Sequence, residues 1–77
     1  MIKSIATICY EILNEIKKQS SHLEGHEIIL RVNPDIAAAL KNGEKDVYKE
    51  MQLFVGKPIA VKADNNLHHE QFDLMLD

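Results

Sequence analysis

The amino-acid sequence predicts an α+β domain: a three-stranded mixed sheet with three helices, in the order α-β-α-α-β-β. Three observations lead there. Apolar residues recur at helical spacing near the N-terminus and again mid-chain. Elsewhere they alternate with period two. Turn and capping residues separate the two patterns. With 77 residues the chain holds one core and not two. A domain of this size hides only about 60% of the surface its unfolded chain exposes. Marginal stability is therefore expected, with support from a parent chain or from a second copy in a homo-oligomer.

Residues 3–20 read as the first helix. Ile5, Cys9, Ile12 and Ile16 fall at spacings of four, three and four, which puts them on one face. Ile2, Ala6, Ile8 and Leu13 widen that stripe enough for a core or a subunit contact. Glu11, Asn14, Glu15 and Lys18 point away. Ser4 or Lys3 stands near the start, and Ser20-Ser21-His22 with Gly25 signals the end. Residues 26–32 read as a strand, with His26, Ile28, Leu30 and Val32 on one face. Ile29, between Glu27 and Arg31, argues that the other face is partly covered.

Asn33-Pro34 opens the second helix. Asparagine accepts free N–H groups as N-cap, and proline at the first helical position loses no hydrogen bond. Asp35 lies in the first turn, where negative charge is favoured. Ile36, Ala37, Ala39 and Leu40 form its apolar side, and Asn42-Gly43 stops it. Residues 46–55 read as the third helix, with Asp46 as cap and Val47, Met51, Phe54 and Val55 as its buried stripe. Gly56 suits a left-handed stop. Strands follow at 58–64, opened by Pro58, and at 71–76, where Phe72, Leu74 and Leu76 alternate with Asp73, Met75 and Asp77. A two-helix crossover from the first strand favours a parallel neighbour with a right-handed connection. The short loop from Asp64-Asn65-Asn66 favours an antiparallel pair between the last two strands. The order of strands in the sheet is left open.

Charge restricts the function classes. Nine Lys and Arg are scattered among twelve Asp and Glu, for a net charge of -3. That is not the basic stripe of an autonomous nucleic-acid binder. One cysteine, Cys9, rules out an internal disulfide, and a cytoplasmic location is expected. No apolar run approaches the roughly 20 residues that span a bilayer. Glu11 and Glu15 interrupt anything resembling a signal peptide, so no membrane partner is expected.

Few residues offer chemistry. His68-His69-Glu70 lies in a row with Asp64 upstream, but adjacent residues of an extended segment face opposite ways and suit solvent better than one metal. His22 and His26 straddle Gly25 at a junction. Cys9, inside an apolar stripe, reads as a small buried hydrophobe. Gly56-Lys57-Pro58 lacks the glycines of a phosphate loop, which leaves Lys57 a solvated lysine or a minor RNA contact. Asp73 and Asp77 share a strand face that Asp64 could approach across a hairpin. They could hold a hard cation, but the plainer role is a charged edge that discourages strand pairing. No nucleophile has an adjacent base. The connection Lys41-Asn42-Gly43-Glu44-Lys45 carries one glycine, not the G-x-x-G of a KH module. Phe54 and Phe72 read as core.

Several segments coincide with one family. Thr7-Ile8-Cys9-Tyr10-Glu11-Ile12-Leu13-Asn14-Glu15-Ile16 resembles the T-x-C-Y-E-I-x-R-E-I helix of the ribonuclease E/G family. Asn33-Pro34-Asp35-Ile36-Ala37 resembles its S-P-x-V-A junction. Phe54-Val55-Gly56-Lys57-Pro58-Ile59 and His69-Glu70-Gln71-Phe72-Asp73-Leu74 are similar to its F-[IV]-G-K-x-[IV] and x-E-Q-[FY]-D-V elements. The resemblance implies the small C-terminal domain of a cytoplasmic bacterial endoribonuclease that acts on single-stranded RNA. It implies a Mg²⁺-dependent, oligomeric parent with a structural Zn²⁺ at a zinc-link, and a small domain that contributes to subunit association. The aspartate-bearing nuclease domain, the RNA-binding barrel and the zinc-link lie outside that domain. RNA would be met only through the parent, and no cofactor is expected in this chain. Met1–Ala6 contains no zinc-link cysteine, Asn14 stands where the family often has arginine, and Asp64-Asn65-Asn66-Leu67-His68 departs most from the pattern. The alternative is a stand-alone RNA-binding accessory module.

Overall fold

The computed structural model describes residues 3–76. Its elements are α1 (Ile5–Leu23), β1 (Ile28–Val32), α2 (Pro34–Lys41), α3 (Lys45–Val55), β2 (Ile59–Ala63) and β3 (Phe72–Leu76). This is the α+β fold with three helices on a three-stranded mixed sheet, in the order read from sequence. Ile2 and Asp77, named above in the helical stripe and on the last strand, lie outside the described residues.

The helix ends follow local chemistry. Ser4 caps α1, its Oγ accepting the Thr7 N–H at 3.1 Å. The helix runs on to Leu23, past the serines at 20 and 21, because Leu23 buries its side chain in the core. Asn33 caps α2, taking the Asp35 N–H at 2.9 Å with Pro34 in the first turn. Asp46 does not cap α3. Glu44 holds that position without a side-chain bond, and Asp46 sits in the first turn, where its charge still meets the positive helix end. Gly56 ends α3 at φ +73, a conformation that an L side chain resists.

The sheet order is β2-β1-β3. β1 pairs parallel to β2 with Ile28 opposite Ile59, and antiparallel to β3 with Leu30 opposite Leu74. The expected β2–β3 hairpin is therefore replaced by an inserted strand. Ile28, Leu30 and Val32 are all at most 2% exposed, and half-buried Ile29 faces the other way. The most apolar strand takes the centre, where both edges are paired. The segment from Asp64 to Gln71 is long enough to carry the chain from one edge to the other.

One face of the sheet meets the helices. There Ile28, Leu30, Val32 and Ile59 pack with Ile8, Cys9, Ile12, Leu13, Ile16 and Leu23 of α1, and with residues of α2 and α3. Two expected core residues fall outside this cluster. Ile5, the first residue of α1, is 39% exposed, and Ile8 and Leu13 fill the core instead. Phe54 is 48% exposed. Val47, Met51 and Val55 already use the inward face of α3 at spacings of four, and Phe54 is turned about 100° from Val55. The Lys17 ammonium covers its ring, 5.0 Å from the centroid. Leu30→Ala should cost about 2–5 kcal/mol of stability, and Gly56→Ala about 1–2 kcal/mol through backbone strain alone. Urea titration followed by circular dichroism measures both.

Candidate functional site

The segment between β2 and β3 is where the side chains singled out from sequence meet. With β1 between β2 and β3, Asp64 turns to the central strand. Its carboxylate pairs with the Arg31 guanidinium from β1, and its Oδ1 accepts the Asn66 N–H at 2.9 Å. That backbone bond, helped by Arg31, holds the Asp64 carboxyl below the usual carboxylate range. Asn33 reaches the same segment from the start of α2, donating Nδ2–H to the Leu67 carbonyl at 2.9 Å. His69 Nε2 lies 2.8 Å from Asp35 Oδ2, and Lys3 bridges Glu11 at 2.7 Å and Glu70 at 3.4 Å. His68, His69 and Glu70 are exposed, and they do not converge.

Among the described residues no group of three or more His, Cys, Asp or Glu could hold a metal ion. Cys9 is fully buried, and burial, aided by the Glu44 charge, pushes its thiol up to about 11. The described residues bring together no ligand set for zinc or magnesium. Cys9, Ile12 and Ile16 lie in the core beside α2, α3 and the sheet, while Ile5 stands at the surface.

Lys57 is half-buried at the foot of β2. It lines a groove of about 650 Å³ on the face of the sheet away from the helices, with Glu27, Ile29, Ala60 and Lys62. Two lysines and one glutamate make that groove weakly cationic. No described helix is long and apolar enough to cross a membrane.

Sequence reasoning missed the contrast between the two sheet edges. On β2, the Ile59 N–H donates to Gln52 Oε1 at 3.0 Å, and the Tyr48 hydroxyl donates to the Ile59 carbonyl. Helix α3 thus satisfies that edge at Ile59, and Lys62 with the preceding Pro58 blunts the rest of it. On β3 the bonding directions follow from the ladder. The Asp64 N–H donates to Val32 O at 2.8 Å, so Ile28, Leu30 and Val32 aim their backbone groups at β2. Ile29 and Arg31 then aim theirs at Met75 and Asp73. The N–H and C=O groups of Phe72, Leu74 and Leu76 are left on the outer edge. Met75 and Leu76 beside them are 43% and 46% exposed. Only the strand order exposes this, and no short-range pattern encodes strand order.

No family model matches the chain. Curated relatives do. Over 75 residues, 97% of this chain, it is 32% identical to Ribonuclease G of Salmonella typhimurium and of Escherichia coli K12, covering 15% of each. Over 76 residues it is 29% identical to Ribonuclease G of Haemophilus influenzae, covering 16% of that protein. The chain is homologous to a segment of ribonuclease G. It spans about a sixth of the length of the relatives it matches.

The lowered Asp64 pKa has a definite sign. Its charged form is favoured in the folded state, so the contribution is full above the ordinary carboxylate value and is lost as pH falls through the folded one. Asp64→Asn should be less stable than the parent at neutral pH, with the gap closing below about pH 4. Thermal melts from pH 2 to 7 check this. The raised Cys9 thiol acts oppositely. Its contribution is full below the ordinary 9.0 and is lost as pH rises toward about 11. A thiol reagent at pH 8 should label native Cys9 only at the rate of opening, far below the rate in urea.

Proposed function

We propose that this chain is a non-catalytic structural and association domain of a ribonuclease of the E/G type. The parent would be a bacterial, cytoplasmic, single-strand-specific endoribonuclease of RNA processing and decay. The observation that carries this reading is the division of labour on the surface. Carboxylates at 11, 64 and 70 are engaged in ion pairs and Asp35 lies within hydrogen-bond distance of His69, whereas apolar side chains and one sheet edge face outward. Leu53 at 80% exposure, Tyr10, Phe54, Met75 and Leu76 offer apolar contact area on the surface. Homology to a segment of ribonuclease G supports the parentage. The catalytic magnesium, the zinc-link and the main RNA surface belong to the rest of such a protein, which this chain would brace.

The purified chain should leave single-stranded RNA intact in the presence of Mg²⁺, as read by gel over hours. Cleavage that disappears when a carboxylate pair is substituted would sink the reading. The net charge of -3 also predicts no measurable RNA binding at physiological salt. Micromolar binding that weakens steeply with added salt, and is lost on Lys57→Ala with Lys62→Ala, would favour the stand-alone RNA-binding module instead.

A further inference from the structure

The edge at β2, tied to α3 at Ile59 and carrying Lys62 after Pro58, and the open edge at β3 are chemically unequal. Edge strands in soluble proteins are usually blunted by lysine, proline, a bulge or a covering element. β3, Phe72-Asp73-Leu74-Met75-Leu76, has no lysine and no proline. Its one charge, Asp73, stands opposite Arg31 in the ladder, although that guanidinium pairs with Asp64.

We propose that β3 pairs antiparallel with β3 of a second copy, about a two-fold axis through Leu74, joining two sheets into one of six strands. The proposal rests on the association-domain reading and names its partner. Backbone geometry selects the register. With Leu74 opposite the partner's Leu74, Phe72 falls opposite the partner's Leu76 and the reverse. Every outward N–H and C=O of Phe72, Leu74 and Leu76 then meets its complement. Side chains agree. These three residues lie on the helix side of the sheet, where Phe72 and Leu74 already pack against the core. Pairing would continue that apolar row across the axis and cover Leu76.

Charge excludes the neighbouring registers or leaves them poorer. Centring on Asp73 would set two carboxylates directly opposite, which is unfavourable across strands. Centring on Met75 would leave the outward groups of Phe72 without a complement in the partner strand. In the register through Leu74, each Asp73 faces the partner's Met75 and no like charges meet. A strand that matches itself this way fits a second copy better than an arbitrary peptide. A five-residue edge is smaller than the roughly 800 Å² per partner of a standard interface. The dimer is therefore weak and concentration-dependent. The groove beside this edge, lined by Phe72 and by Glu11, Asn14, Glu15 and Lys18 of α1, adjoins the contact.

Met75 tests the register because it is exposed on the far face and its replacement spares the core. Sedimentation equilibrium should show the parent chain dimerising. Met75→Lys, which sets an ammonium opposite the partner's Asp73, should tighten the dimer roughly 2- to 30-fold, and Met75→Asp should loosen it by a similar factor. Hydrogen exchange gives a second reading that needs no variant: the Leu74 amide should gain protection as concentration rises, while amides facing β1 stay unchanged. Dimerisation equal in all three chains, with a Leu74 amide indifferent to concentration, would overturn β3 pairing and leave association through another surface. A chain monomeric up to millimolar concentration would overturn it too. Neither outcome bears on RNA cleavage, which tests the wider reading separately.

Discussion

The structure depends on β1 having a neighbour on both edges. A five-residue strand bonded on one side only is a weak element, and here the strand carries the apolar floor on which all three helices rest. The parallel neighbour β2 requires the two-helix crossover, which lays α2 and α3 over the sheet. The antiparallel neighbour β3 requires the chain to return across the far end. Burial of Ile28, Leu30 and Val32 thus fixes the path of nearly everything after them.

Polar contacts then lock what burial has arranged. The segment after β2 is held by Arg31 from the central strand, by Asn33 and Asp35 from the start of α2, and by Lys3 from ahead of α1. Each surface pair contributes little alone. Their value lies in arriving from three different elements, which restricts the direction from which β3 enters the sheet.

Much of this was legible in the sequence, and the limits have physical causes. The cap at Asn33 and the stop at Gly56 are local chemistry, so residue type declared them, whereas at the start of α1 it left Ser4 and Lys3 as alternatives. Helical and strand periods declared fold class and element order, and the crossover declared the parallel pair. Strand order was not legible, because a loop between two strands fits a hairpin as well as a detour around a third strand. Phe54 and Ile5 were misplaced because an apolar residue at the margin of a helical stripe can lie on either side of the boundary. The docking edge was hidden for the same reason as the strand order. The resemblance to ribonuclease E/G was legible only as motifs in series, and homology to ribonuclease G agrees with it over 97% of the chain.

Asn33 serves two structures with one amide. Its oxygen caps α2 while its nitrogen grips the Leu67 carbonyl. A serine at this position, as in the resembling S-P junction, would supply the cap but would lack the amide donor. What the clamp grips is main chain, which every residue type presents alike. The side chains from Asn65 to His68 are thereby released from holding their own loop in place, while Asp64 keeps its pair with Arg31. That tolerance fits a stretch whose residues depart most from the resembling family pattern.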